Sequence, residues 1–183
     1  MKIGTRKIGK GNPAYIIAEM SANHAGDIAR AKEIIHVAKE AGADCVKIQT
    51  YTPDTLTIDC DNSYFHISDG TWNGENLYQL YQKAYTPWEW QGELSEEAKK
   101  VGIDFFSTPF DNTSVDFLEG TGIEFYKIAS FELVDIPLIE YTASKGKPMI
   151  MSCGMASEEE IREALEACQR QGNEQVVLLK CCS

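Results

Sequence analysis

The sequence has 183 residues, of which 43% are hydrophobic and 25% charged, and its formal net charge is -11. This composition is typical of a globular chain with one core, and the negative charge argues against nucleic acid or an anionic membrane as a partner. No stretch approaches the ~20 consecutive apolar residues that a membrane helix requires. Six cysteines lack the spacing of a zinc site, and we expect reduced thiols in a cytoplasmic protein.

Short apolar runs that alternate with amphipathic segments dominate the chain. Before them, glycines among β-capable residues predict a small hairpin over residues 1–13. The apolar runs lie at residues 14–19, 45–49, 104–108, 125–130, 148–152 and 176–180. Strands that alternate with helices in this way predict a parallel sheet whose faces are covered by the helices.

Several of the intervening helices carry clear start signals. Asp27 is a suitable N-cap for a helix over residues 28–41. A capping box opens another helix over residues 158–171. Thr86 followed by Pro87 predicts a further helix start, with the threonine as N-cap and the proline in the first helical position.

The longest irregular stretch runs from residue 50 to about residue 76. It contains Tyr51, Tyr64, Phe65 and Trp72 among Asp, Asn and Gly residues. A connection of this length is uncommon unless it is functional or disordered, and disordered segments are poor in aromatic residues. We therefore predict a packed loop that covers a substrate.

Polar residues end or follow every predicted strand, and this places a ligand site at the carboxyl ends of the strands. Six strands are compatible with an open doubly wound sheet or with part of an eight-stranded (β/α)8 barrel. No GxGxxG or GxxxxGK[ST] sequence follows a strand, and a ring of strands around one site explains the polar strand ends better. The spacing alone favours the barrel and leaves the open sheet as an alternative.

Lysines occur inside three of the apolar runs, as Lys47, Lys127 and Lys180, although an unpaired charge is costly there. Lys47 and Lys127 lie near their strand ends, from which they can point toward the site. One interpretation is a pair of ammonium groups that clamps a phosphate and a carboxylate. The other is a buried ion pair with Glu19 or Glu132.

Hydroxyl and carboxyl groups at the same strand ends complete the predicted site. The hydroxyls of Thr108, Ser130 and Ser152 can donate hydrogen bonds to phosphate oxygens. Glu19 and Glu132 are candidate proton carriers, or alternatively structural partners of the lysines.

Other candidates lie outside this set. His24 is in the first strand-to-helix loop, where it could bind substrate or a metal. His66 in the aromatic loop could touch substrate. A catalytic thiol at Cys153 or Cys181 is a further alternative.

An ordered set of motifs covers essentially the whole chain. The motifs are Ile17-Ala18-Glu19 with Asn23-His24 and Gly26, Lys47-Ile48-Gln49-Thr50, Ser107-Thr108-Pro109-Phe110-Asp111, Tyr126-Lys127-Ile128-Ala129-Ser130, and Gly146-Lys147-Pro148 before Ser152 and Gly154. Their order resembles that of the sialic acid synthase family. Within that family, Thr50-Tyr51-Thr52-Pro53-Asp54-Thr55, Gly70-Thr71-Trp72 and Ala84-Tyr85-Thr86-Pro87-Trp88-Glu89-Trp90 are most similar to the pseudaminic acid synthase branch.

This resemblance implies a (β/α)8 barrel enzyme that condenses phosphoenolpyruvate with an N-acetylated amino sugar and releases phosphate by C–O cleavage. It implies a divalent metal, Mn or Mg, and a homodimer. The residues implied for phosphoenolpyruvate are Lys47, Thr108, Lys127, Ser130, Ser152 and Ser183. Glu19 and Glu132 would serve the attacking water and the sugar aldehyde. Residues implied for the sugar are Asn23, His24, Gln49 and Tyr51.

The chain also departs from the family pattern. Cys153 and Cys182 stand where relatives commonly have Thr. The family continues through two more β–α units with two metal-binding histidines, and then through an antifreeze-like domain whose arginine reaches a partner subunit's site. We therefore expect residues 1–183 to be the N-terminal portion of the barrel, with its metal ligands beyond residue 183 and no turnover alone.

Three alternatives remain at this stage. A neuraminic or legionaminic acid synthase is the near alternative, because sequence does not settle which sugar fits. A second is an aldolase-type barrel that uses Lys127 as a Schiff-base nucleophile. A third is a non-catalytic binding or assembly module.

Overall fold

The chain begins with the predicted hairpin, in which β1 (Lys2–Ile3) pairs antiparallel with β2 (Arg6–Lys7). The structure is a computed structural model that describes residues 2–3 and 6–181, apart from the side chain of Thr71. The main strands are β3 (Ile17–Glu19), β4 (Cys45–Thr50), β5 (Asp104–Pro109), β6 (Tyr126–Ile128), β7 (Met149–Ser152) and β8 (Val176–Leu179). Each coincides with one of the predicted apolar runs, which confirms those predictions, although β4 and β5 extend one residue beyond theirs.

Helices separate the main strands as the sequence predicts. They are α1 (Ile28–Glu40), α2 (Pro53–Leu56), α3 (Leu77–Ala84), α4 (Trp88–Val101), α5 (Asn112–Gly120), α6 (Ile136–Ala143) and α7 (Glu158–Arg170), with 3-10 turns at Ser63–Phe65, Gly70–Trp72 and Phe131–Val134. The Asp27 side chain accepts a hydrogen bond from the Ala29 amide, and Ser157 caps α7 in the predicted capping box. Among the described residues, no helix has the length and apolar character needed to cross a bilayer.

The main strands form two parallel sheets within the described residues. One has the order β3-β4-β5 and the other β6-β7-β8. β5 runs beside β6, although no ladder of hydrogen bonds joins these two strands in the described part of the chain. Because α1 packs on α4 and α6 on α7, the helices cover the outside of the strand layer.

The core lies on both sides of the strand layer. Between the strands and the outer helices, Ile35 of α1 and Leu94 of α4 are fully buried. On the inner side of the strands, the rings of Phe106 and Phe125 lie 4.2 Å apart between their centroids and join β5 to the approach of β6. Burial of such large apolar groups is the main stabilising contribution to this architecture.

Two local predictions are wrong. Pro87, not Thr86, is the N-cap of α4, because Thr86 is buried and its hydroxyl lies 3.2 Å from Nε2 of His24. Lys180 lies just after β8 and is exposed, so the prediction that it sits inside a strand fails. In both cases the sequence pattern is correct and its boundary is displaced by one residue.

The aromatic segment 50–76 is more regular than its sequence predicts. It contains α2, two 3-10 turns and an antiparallel bridge between His66 and Asn76. Tyr64 and Trp72 are nevertheless largely exposed, at 88% and 50%. The packed part is therefore Tyr51 with the neighbouring helix, and the role of the segment as a substrate cover stays a prediction.

Two glycines of the same helix should respond oppositely to alanine substitution. Gly102 ends α4 with φ 72°, and an added Cβ at either Gly102 or Gly92 meets no atom within 4 Å. Gly102→Ala should therefore lower the free energy of unfolding by about 1 kcal/mol through backbone strain alone. Gly92→Ala, inside the helix, should raise it by about 0.5–1 kcal/mol. Urea denaturation measures both changes. A change of the same sign in the two variants would contradict the backbone strain assigned to alanine at position 102.

Candidate functional site

The register of the strands places several of the predicted residues on one face of the sheet. Glu19 of β3 lies beside Lys47 of β4, and Gln49 of β4 lies beside Thr108 of β5. Since side chains alternate along a strand, these four residues face the inner side, away from the outer helices. Thr50 points the other way and lies toward α4.

Lys47, in the middle of β4, forms an ion pair with Glu19 at the carboxyl end of β3. Glu19 also accepts a hydrogen bond from the Ser21 amide at 3.1 Å. Burial, followed by the positive charge of Lys127, lowers the pKa of Lys47 to about 7, whereas the Glu19 carboxylate favours the ammonium form. The ion pair with Glu19, which was one of the two interpretations of Lys47, is thus present, and it lies at the mouth of the predicted site.

Lys127 is the most deeply buried lysine of the site, with 6% exposure. Its Nζ donates a hydrogen bond of 2.9 Å to the carbonyl of Ile128. Burial lowers the pKa of Lys127 to about 8, against the opposing influence of Cys181 and Glu132. Two partly desolvated lysines, with the charge of Lys127 acting on Lys47, form a place where an anion is favoured.

Buried polar atoms without a partner lie at two predicted positions. Oγ1 of Thr108, a residue with 1% exposure, and Oε2 of Glu132 make no hydrogen bond in the structure. Burial raises the pKa of Glu132, while Lys127 acts in the opposite direction. Because most buried polar atoms are hydrogen-bonded, these two atoms mark a place prepared for a ligand.

Hydroxyl groups gather around Cys181 just beyond β6, β7 and β8. The Ser130 hydroxyl lies 3.5 Å from the Cys181 sulfur, and hydrogen bonds with Ser130 and Ser152 lower the pKa of that thiol. Gly154 closes the cluster, since a Cβ there would lie 2.8 Å from the Ser130 oxygen. The sequence named the two serines, but neither the grouping with Cys181 nor the need for glycine was predicted.

The residues implied for the sugar are less well grouped. His24 is fully buried, with its Nδ1 accepting from the Gly26 amide at 3.1 Å and its Nε2 beside Thr86. Tyr51 is 3% exposed and packs edge-on against Tyr81 at 5.7 Å. These contacts give His24 and Tyr51 a packing role, and their contact with a sugar stays a prediction.

The two remaining sugar candidates differ from these. Asn23 is exposed and donates to the Met20 carbonyl at 2.9 Å. Gln49 is half-buried on the inner face, next to Thr108. Tyr81, which the sequence did not single out, lies close enough to Glu132 for that carboxylate to raise the pKa of the phenol after burial.

Residues 182 and 183 lie outside the described residues, so the predictions for Cys182 and Ser183 have no structural counterpart. Within residues 2–3 and 6–181, no three His, Cys, Asp or Glu side chains are grouped closely enough to hold a metal ion. The implied Mn or Mg ion and the position of its ligands stay predictions, and we derive no step through that metal. Cys45, Cys60, Cys153, Cys168 and Cys181 are free thiols.

A comparison with known protein families is decisive. The profile of the NeuB family matches residues 34–183. The chain belongs to the NeuB family.

Pseudaminic acid synthase of Helicobacter pylori is 48% identical over 93% of the chain and 50% of its own length. N,N'-diacetyllegionaminic acid synthase of Legionella pneumophila is 36% identical over 98% of the chain and 52% of its own length. The chain thus spans about half the length of the curated relatives that it matches.

A solved relative settles the topology. N-acetylneuraminic acid synthetase of Leptospira borgpetersenii, crystallised in complex with citrate, superposes with a TM-score of 0.86 at 32% identity. The match covers 100% of this chain and 59% of that one. The fold is therefore part of a (β/α)8 barrel of the sialic acid synthase type, and the open-sheet alternative is rejected. The predicted similarity to pseudaminic acid synthases in particular is also confirmed.

Proposed function

We propose that this chain carries the phosphoenolpyruvate site of a pseudaminic acid synthase. The observation that carries the proposal is the pairing of two partly desolvated lysines, Lys47 and Lys127, at the carboxyl ends of parallel strands. The unpartnered hydroxyl of Thr108 and the hydroxyls of Ser130 and Ser152 supply donors beside them. A phosphate together with a carboxylate is the ligand that such an arrangement favours.

The proposed reaction joins the enol carbon of phosphoenolpyruvate to the aldehyde carbon of an N-acetylated amino sugar. The carbon that bears the phosphate then becomes cationic, water adds there, and phosphate departs with the bridging oxygen. The lysines and hydroxyls hold the phosphate for this attack. We assign to Glu132, whose pKa is raised by burial, the donation of a proton to the aldehyde oxygen, and to Glu19 the acceptance of one from water.

Pseudaminic acid is our preferred product because the pseudaminic acid synthase of H. pylori is 48% identical to the chain, against 36% for the legionaminic acid synthase of L. pneumophila. A legionaminic or neuraminic acid product is the alternative. The homodimer, the cytoplasmic location, the metal ligands beyond residue 183 and the lack of turnover by residues 1–183 alone stay predictions.

The test combines binding with isotope tracing. Residues 1–183 should bind phosphoenolpyruvate in calorimetry and show no synthase turnover. Joined to the C-terminal half of the H. pylori relative, they should turn over bridging-¹⁸O phosphoenolpyruvate with the label in the released phosphate. Label kept in the sugar acid would contradict C–O cleavage. No phosphoenolpyruvate binding by a folded chain would overturn the proposed site.

Borohydride trapping separates this proposal from the aldolase alternative. The pKa of Lys127 is about 8, so a fraction of its amine is neutral at physiological pH and could condense with a keto acid. We expect no mass adduct with pyruvate and borohydride, because Nζ donates to the Ile128 carbonyl and the site favours the ammonium when an anion is bound. An adduct at Lys127 would favour the aldolase.

Binding of phosphoenolpyruvate should weaken as pH rises through 7 to 8. The pKa values of Lys47 and Lys127 are about 7 and 8, and only the ammonium forms attract the anion. A bound anion raises both pKa values, so binding at pH 8 should take up protons, and affinity should fall by up to about tenfold per pH unit for each of the two lysines. Calorimetry in two buffers of different ionisation enthalpy measures this uptake. Lys47→Arg, which stays charged, should make affinity less dependent on pH. Absence of proton uptake by the wild-type chain would contradict the prediction.

A further inference from the structure

A cavity of about 460 Å³ lies between α4, α5 and β5. It follows the junction between β5 and β6, where no ladder of hydrogen bonds joins the strands in the described part of the chain. Its rim includes the exposed residues Lys99, Gly102 and Glu124, so the cavity opens to solvent. A protein interior rarely leaves so much space unfilled, and this volume lies in the range of small-molecule sites.

Gln91 lines this cavity and contains a buried amide nitrogen with no partner. The residue is 2% exposed, and its Oε1 accepts a hydrogen bond of 2.9 Å from the Thr50 hydroxyl. Thr50 is also hydrogen-bonded at 2.6 Å to Ser107, another lining residue. The network thus fixes one end of the amide, while Nε2 makes no hydrogen bond. An unsatisfied buried donor beside a cavity calls for an acceptor that the protein does not supply.

The walls of the cavity favour an uncharged molecule. Phe105, Ile123 and Leu118 contribute apolar surface, and Gln91 and Ser95, one turn apart on α4, contribute polar groups. Two of the charged lining groups are engaged within the protein, since Arg6 pairs with Asp44 and Asp104 accepts from Tyr15. The other charged lining residues, Lys39, Lys99 and Glu124, are exposed, so water screens their charges. A charged ligand would lose its hydration in this cavity and gain only these screened charges.

We propose that the β5–β6 cavity is a second binding site, for an uncharged molecule with an aromatic or alicyclic body and a carbonyl-type acceptor for Gln91 Nε2. The inference does not depend on the proposed synthase reaction. The cavity is lined mainly by α4, α5 and the helix side of β5, with Phe106 and Phe125 as its wall toward the inner side, whereas the lysine pair faces the inner side. Occupation of one site is therefore separable from occupation of the other.

The probe is 4-fluorobenzamide, followed by ¹⁹F NMR on the 183-residue chain. Its carbonyl supplies the acceptor and its ring the apolar body. 4-Fluorobenzoate adds a charge, and fluorobenzene lacks the acceptor, so these two are matched comparisons. We expect the benzamide to bind about three- to tenfold more tightly than fluorobenzene, as for one net hydrogen bond. The benzoate should bind at least about tenfold more weakly than the benzamide.

Variants locate the probe. Ser95→Trp fills the cavity and should abolish binding of the probe. If that variant fails to fold, Thr121→Trp fills the cavity from the end of α5 and should have the same effect. Gln91→Met should weaken benzamide binding about three- to tenfold and leave fluorobenzene binding unchanged. Lys127→Met, on the inner side, should have no effect on the probe. Absence of binding, or binding that survives both filling variants, would overturn the proposal, as would loss of binding in Lys127→Met alone.

Discussion

Replacement of Lys127 by methionine should abolish detectable phosphoenolpyruvate binding while the chain stays folded. A charge-assisted contact between a buried ammonium and a phosphate is among the strongest polar contacts, so the loss should be at least about 100-fold in Kd. Lys127 is 6% exposed, and methionine keeps most of its length without the desolvated charge. The free energy of unfolding should therefore change by no more than about 1 kcal/mol, since loss of the hydrogen bond to the Ile128 carbonyl and of the attraction to Glu132 is offset by removal of a desolvated charge.

Calorimetry and urea denaturation of the same preparation measure the two quantities. Lys145→Met is a matched control, because Lys145 lies after α6, at the amino end of β7, and pairs with Asp116 on the surface. Loss of that pair should cost about 0–1 kcal/mol of stability and leave phosphoenolpyruvate binding unchanged. Equal loss of binding in both variants would mean that the effect reflects general electrostatics. If Lys127→Met binds phosphoenolpyruvate with wild-type affinity, Lys127 is not part of the binding site.

Much of this fold is predictable because it depends on short-range patterns. Apolar runs and helix caps are local features, and each predicted run overlaps a strand. Boundaries depend on tertiary contacts, and this is where the predictions failed. Thr86 has the chemistry of an N-cap, but its hydroxyl is buried against His24, so the helix begins one residue later. Lys180 follows an apolar run, but β8 ends before it.

The sequence predicts which residue types form the candidate site, but it predicts the contacts among them less well. Lysine in a buried strand is rare enough for Lys47 and Lys127 to stand out, whereas the pairing of Lys47 with Glu19 requires the register of β3 on β4. The cluster of Ser130, Ser152 and Cys181 depends on three loops that meet only in the fold. Sequence alone also does not reveal which hydroxyls find partners within the protein.

Thr108 and Thr50 test the difference between a buried hydroxyl without a partner in the protein and one that has such a partner. Both threonines are buried on neighbouring strands, but they face opposite sides of the sheet. The Thr108 hydroxyl has no partner, whereas the Thr50 hydroxyl bonds Gln91 and Ser107. Thr108→Val should therefore raise the free energy of unfolding by roughly 1 kcal/mol, because an unsatisfied polar group is removed. Thr50→Val should lower it by about 1–3 kcal/mol, because it leaves the Gln91 oxygen without its donor.

Binding should change in the opposite sense to stability. If Thr108 donates to a phosphate oxygen, Thr108→Val should weaken phosphoenolpyruvate binding by about ten- to a hundredfold, as for a hydrogen bond to a charged group. Thr50→Val should leave affinity unchanged, because Thr50 lies on the helix side of the strand. Urea denaturation and calorimetry on the two variants give all four values. A Thr108→Val protein that is less stable than wild type, or that binds equally well, would show that its hydroxyl serves the fold and not the ligand. A gain in stability with a loss of affinity is the result that a site prepared for an anion requires, since the donor is kept unsatisfied until the anion arrives.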